Sequence, residues 1–255
     1  TSGTKSLIGN VPVDSIVSIG GSVVLEEGSF VLSGNANLTM TSGTELKMTR
    51  TTDADVYPEL RGSYNLTGGT VTITQNGDSA VVNDGPYYNL KLNGTHGYDL
   101  GAVSSITNNL DVLNTAFLNN NSVLTIYGAF THNTSGTSLL NDSIAVGGIT
   151  MTAGTINTAG NSINVKGSGG WSKASGATFT PATGTVYFTG TSSQTLGGTS
   201  VTQTFNSLCV NKSSNTVTVG GSTTTLNVDG DMTLNAGVLD KGTAAAINMT
   251  GGNWV

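Results

Sequence analysis

GTVYFTGTSSQTLGGTSVTQTFNSLCVN, residues Gly184–Asn211, decides the fold, because GTVTITQNGDSAVVNDGPYYNLKLN, residues Gly69–Asn93, repeats its grammar in the other half of the chain. In each copy Gly-Thr leads an alternating strand (Val186 and Phe188; Val71 and Ile73). A polar loop follows, and an aromatic then leads into a second short strand ending in Asn (Phe205, Leu208, Val210; Tyr88, Leu90, Leu92). Alternation at period two gives each strand one buried face.

The same pattern extends outward. SVVLEEGSFVLSGNANLTMTSGTELKMT, residues Ser22–Thr49, carries the alternating pairs Val23/Leu25, Phe30/Leu32, Leu38/Met40 and Leu46/Met48, with Gly, Ser or Asn between them. Segments this short and regular suit neither a sandwich nor a meander of hairpins. Three of them make a coil of about 20 to 25 residues, within the repeat periods of solenoids. One coil cannot bury its apolar face alone; stacked at the strand spacing of about 4.8 Å, it gains a continuous core and an axial hydrogen-bonded ladder. The chain is therefore expected to be all-β, a right-handed parallel β-helix, with 255 residues giving roughly 10 to 12 coils; the hand follows from strand twist. Composition is uniform, so one continuous body is expected over 1–255. Residues 50–65, with both arginines, three acids and a proline, are expected to form a side loop.

Charged residues are 9% of the chain and the formal net charge is -6, which leaves no Lys/Arg cluster for phosphate and argues against nucleic acid. The single cysteine, Cys209, excludes an internal disulfide. No run of about 18 apolar residues occurs, so no membrane insertion is expected. Neither is a signal peptide.

A second internal match is ITMTAGTINTAGNSINVKGSGGW, Ile149–Trp171, against MTLNAGVLDKGTAAAINMTGGNW, Met232–Trp254. The span between the two tryptophans is about four coils. The closing GGNWV reads as the start of another cassette, which leads us to expect self-association head to tail or further repeats of the same polypeptide.

Three stretches, GTVYFTGTSSQTLGG (184–198), TFNSLCVNKSSNTVTVGG (204–221) and LNVDGDMTLNAGVLDKG (226–242), together with the Gly-Gly-Trp junctions, resemble the β-strand-repeat regions of very large Bacteroidota surface proteins exported by the type IX system. The resemblance implies an extracellular parallel β-solenoid with structural or adhesive duty, with surface glycans among its candidate partners. It also implies sugars on Asp-Ser/Thr-aliphatic sequences, which gives Ser15, Ser79 and Ser143 as glycosylation candidates. Neither that family's sorting domain nor its signal is expected within these residues, so export is an inference from the resemblance.

Other candidate chemistry is sparse. Asp53, Asp55 and Glu59 offer hard oxygens for calcium, but the EF-hand spacing is missing. His96 and His132 lack partners at zinc-ligand spacing and read as turn residues. Alternation puts Cys209 on the face opposite Leu208 and Val210. Asp229 and Asp231, in VDGDM, form a carboxylate pair at a turn where Asn is equally at home. Thr-x-Thr runs such as Thr70–Thr74 could form hydroxyl ladders, although outward Thr suits any exposed strand. No acid, base and cation cluster emerges, so no enzyme activity, catalytic residue or cofactor is expected. The expected function is a non-enzymatic extracellular module, either a segment of an adhesin stalk or the repeating subunit of a surface filament. The rivals are a carbohydrate-active β-helix, such as a polysaccharide lyase or hydrolase, and a phage or virus fibre.

Overall fold

The computed structural model describes residues 2–50, 59–77, 80–82 and 85–255. Among these there is no helix; short strands stack in parallel as a β-solenoid of about 11 turns. Each turn visits three faces, here termed A, B and C. The 17-residue strand Leu124–Leu140 makes the path visible, because it bends twice and contributes to all three. Leu124–Ile126 (face C) pairs with Ile144–Val146, Ala129–His132 (face A) with Gly148–Met151, and Thr137–Leu139 (face B) with Thr155–Asn157, with a break in register at each bend.

Alternation along each strand becomes a column along the axis. On face A the column runs Lys5, Leu25, Leu46, Val71, Leu90, Leu110, Phe130, Ile149, Trp171, Leu196, Val219, each residue in register with the next. From Leu46 onward every member is buried to 1% exposure or less. Steps along the column range from Val71 to Leu90, just under the expected period of about 20 to 25 residues, to Trp171 to Leu196, at its upper end. Face C has its own columns, including Leu124, Ile144, Ile163, Val186, Leu208 and Met232. Leu38, Met40, Val186, Phe188, Leu208 and Val210 belong to the core, and Val23, Leu25, Ile247 and Met249 pack against it.

The two strands inside each deciding stretch are consecutive rungs. Val186 pairs with Leu208 and Phe188 with Val210; Val71 pairs with Leu90 and Ile73 with Leu92. The polar loop between them is the remainder of one turn.

Aromatics join faces A and B. Trp171 on face A meets Phe179 on face B at 4.7 Å and Phe205, one turn further, at 5.0 Å, both edge-on, the arrangement that opposes positive ring edge to negative ring face. Its indole N–H donates to Gln203 Oε1 at 3.3 Å. Corners need tight backbone approach. At Gly154 (φ 71°) a Cβ would lie 2.2 Å from the Thr134 carbonyl oxygen one turn below, so only glycine fits.

Part of the stretch expected to form a side loop, 50–65, is coil instead. Leu60 bridges to Gly34 and is buried, and Tyr64–Leu66 pairs with Leu38–Met40 on face C, so these residues belong to the coil; 51–58 lie outside the described residues. In the first turn, Gly3–Ser6 and Val11–Pro12 are exposed. So is most of Met232–Asp240 in the last turns.

Candidate functional surfaces

The sequence-predicted candidates are scattered over the solenoid. Asp53, Asp55 and Ser79 lie outside the described residues. Glu59 is half-buried beside Leu60. Among the described residues no three His, Cys, Asp or Glu side chains come together to hold a metal. Ser15 and Ser143 both occupy the corner from face B to face C, directly before the strands Ile16–Ile19 and Ile144–Asn157. Ser15 is exposed, whereas Ser143 is half-buried and its hydroxyl accepts the Ser162 N–H at 3.3 Å.

Asp229 and Asp231 are exposed and turned to the next rung. Asp229 Oδ1 accepts the Thr250 hydroxyl at 2.5 Å and Asp231 Oδ1 accepts the Asn253 N–H at 2.8 Å. Asn206 precedes them by one turn, since Phe205 is in register with Val228, so this is a turn column that takes Asn or Asp alike. Cys209 faces outward on its strand yet is 5% exposed, with Asn235 Nδ2 3.8 Å from its sulfur; burial pushes its thiol pKa up. The hydroxyl ladder does not form at Thr72, whose axial neighbours are Lys47 and Lys91.

His96 sits in a bend with Nδ1 2.7 Å from the Thr95 hydroxyl, as a turn histidine should. His132 does not. It occupies an inward column between Val112 and Met151 and is fully buried. Its Nδ1–H donates to the Ala153 carbonyl at 3.0 Å, which leaves Nε2 to accept the Ser138 hydroxyl at 3.0 Å. Ser138 Oγ in turn accepts the Leu118 N–H at 3.1 Å. The pair has the spacing of a nucleophile and its base, but both residues are sealed from solvent, so it acts as a pin between faces A and B. Desolvation holds the imidazole below its ordinary pKa. The signal in the sequence was the alternation Phe130, His132, Thr134, which puts all three on the inner side.

Lys212 is a second buried polar centre that the sequence reading missed. It follows Leu208 and Val210 at period two, is 1% exposed, and donates to the Ser192 carbonyl at 2.7 Å and to Gln194 Oε1 at 2.8 Å. Gln194 Nε2 continues the network to the Val165 and Gly167 carbonyls at 2.8 and 2.9 Å. Burial lowers the lysine pKa. Each buried donor and acceptor here ties one turn to its neighbour, which offsets its desolvation.

Outside the core, the columns carry amides and a few charges. Asp99, Asn121 and Asn141 form a hydrogen-bonded stack (3.0 and 2.8 Å), as do Asn227 and Asn248 (2.9 Å). The outer column of face A runs Glu26, Lys47, Thr72, Lys91, Asp111. Glu26 and Lys47 form an ion pair at 3.0 Å, and that hydrogen bond raises the lysine pKa against the opposing effect of burial. Beside it, Glu45 Oε1 accepts the Thr72 hydroxyl at 2.6 Å. Among the described residues no helix is long and apolar enough to cross a membrane.

The chain matches no protein-family model, no curated protein and no solved structure.

Proposed function

We propose that this chain is a rigid, non-enzymatic structural module of an extracellular surface protein, either a stretch of an adhesin stalk or the repeating unit of a filament. The observation that carries the reading is the face A column, in register from Lys5 to Val219. A core unbroken along one axis, with ladder hydrogen bonds parallel to it, resists bending and pulling along that axis. The charge-poor amide and hydroxyl surface gives solubility without strong attraction to polyanions. Extracellular placement rests on the resemblance to type IX-exported surface repeats.

The partner is more of the same. The end turns leave inward residues partly uncovered: Val17, in register with buried Leu38, and Leu239, Ile247 and Met249, in register with buried Val217, Leu226 and Val228, are only partly buried, and Trp254, bridged to buried Met232, is 58% exposed. Strand edges and core side chains left in this state are normally covered to prevent edge-to-edge pairing. Further turns of the same polypeptide, or a second copy stacked head to tail, would cover them, and a heterologous contact of that type propagates as a fibre.

Electron microscopy and solution scattering of the purified chain test the assembly. Rods lengthening with concentration are expected; a particle of constant size at all concentrations would count against filament assembly by this chain. Incubation with neutral and acidic polysaccharides tests the chemistry. Cleavage lost on Asp229→Asn would favour the carbohydrate-active rival.

A further inference from the structure

The outer surface carries a concave feature beside face A. At the corner leading into face A, the turn holding Gly68 and Gly69 is drawn in against the turn below: a Cβ on Gly68 would lie 2.4 Å from the Ser42 nitrogen, and one on Gly69 2.5 Å from Thr44 Oγ1. With no side chains there, the corner recedes and leaves a cavity of about 490 Å³ bordered by Ser42, Glu45, Thr70, Tyr88, Lys91 and Asn108. The groove runs along the solenoid axis, because Glu45, Thr70 and Asn89 are successive rungs of one outward column.

Its chemistry narrows the ligand. The lining is mainly hydroxyl and amide, unlike the mostly apolar lining of sites for lipophilic molecules. Glu45 and Lys91 bring one charge of each sign, so the site does not select a strongly charged ligand, and Lys91 forms no ion pair among the described residues. Asn89 is held in place: its Nδ2 donates to the Gly69 carbonyl at 2.9 Å and its Oδ1 accepts Asn108 Nδ2 at 2.9 Å. That preorganisation lowers the cost of binding. Tyr88, half-buried beside them, adds an amphipathic aromatic.

An extended peptide is poorly suited. Strand addition needs a free backbone edge, and the strands under the groove are already paired on both sides: Thr70 N–H donates to the Thr44 carbonyl at 2.9 Å and Leu90 N–H to the Asn109 carbonyl at 2.9 Å. A chain rich in uncharged hydroxyls, repeating at a distance near the rung spacing of about 4.8 Å, matches the groove instead.

We propose that this axial groove binds a neutral, linear oligosaccharide. The inference deepens the surface-module reading by giving the module a ligand, and its test measures binding rather than assembly, so the two can fail separately. The probes are cellotetraose and chitotetraose at millimolar concentration, titrated into the isotope-labelled chain and followed by amide chemical shifts, with tetra-alanine and an oligogalacturonate as comparators. Shifts confined to 42–45, 69–70, 88–91 and 108 on adding a neutral sugar are expected, with Lys91→Ala and Asn108→Ala each weakening binding about tenfold at unchanged melting temperature. Tyr88→Ala should abolish binding; as this residue also packs on the core, the two outer variants carry the test if it misfolds. Absence of shifts with both neutral sugars, tighter binding of the peptide or the acidic sugar, or affinity unchanged in both outer variants would overturn the proposal.

Discussion

Replacing Leu208 by Asp tests the axial core at a single point. Leu208 is 1% exposed and lies in register between Val186 below and Met232 above. Losing the leucine methyls costs about 2–5 kcal/mol, as in other core truncations. Burying a carboxyl without a hydrogen-bond partner adds roughly 2–7 kcal/mol even when it is neutral. Together these rival the whole stability of an ordinary domain, about 5–15 kcal/mol. In a solenoid each turn contacts only its neighbours, so the damage should stay local. Amide exchange is expected to accelerate over Thr185–Phe188, Ser207–Val219 and Met232–Asp240, while Asn89–Gly94 and Leu110–Asn114 remain protected. Leu208→Ala should lie between Leu208→Asp and wild type, and Leu208→Met should stay within about 1.5 kcal/mol of wild type. A Leu208→Asp chain with wild-type urea midpoint and wild-type exchange over these strands would refute the column.

Three further outcomes are expected. His132 has a folded pKa below its unfolded value of about 6.5, so the unfolded chain binds the extra proton first; stability should be complete above that pH and fall as pH drops through it, and the fall should be smaller in His132→Gln, with an identical pH profile disproving the assignment. The Cys209 thiol, buried and with a raised pKa, should resist a thiol-specific reagent in the native state and react fully in denaturant; rapid native labelling would contradict its burial. Trp171 is 1% and Trp254 58% exposed, so Trp254→Phe should leave a blue-shifted emission that acrylamide barely quenches, and strong quenching of that variant would show the aromatic cluster to be open.

Inward residues were legible because a strand reports its buried face at period two: Val186, Phe188, Leu208 and Val210 could all be placed without coordinates. Polar residues at the same phase were not. His132 and Lys212 follow the alternation of Phe130 and Val210, but residue type was allowed to outweigh position. Their burial depends on acceptors a turn away, Ala153 O for His132 and Ser192 O for Lys212. The groove was less legible still. Gly68 and Gly69 look like any other turn glycines, and only the placement of Ser42 one rung below shows that they make the surface recede.

The second internal match shows why repetition recorded the step but not the face. Ile149 and Trp171 are successive rungs on face A. Met232 and Trp254 are also successive rungs, at the same spacing in sequence, but on face C. The separation between the two copies is therefore not a whole number of turns: it carries the cassette along the axis and then on to a different face. One cassette can serve on either face because both ask the same of it, an inward alternation of apolar residues and a corner that turns. Both tryptophans take the inward phase, Trp171 packed on Phe179 and Phe205 and bonded to Gln203, and Trp254 bridged to buried Met232. A repeated sequence in a solenoid thus predicts its neighbour along the axis and says little about the surface at which it will be read.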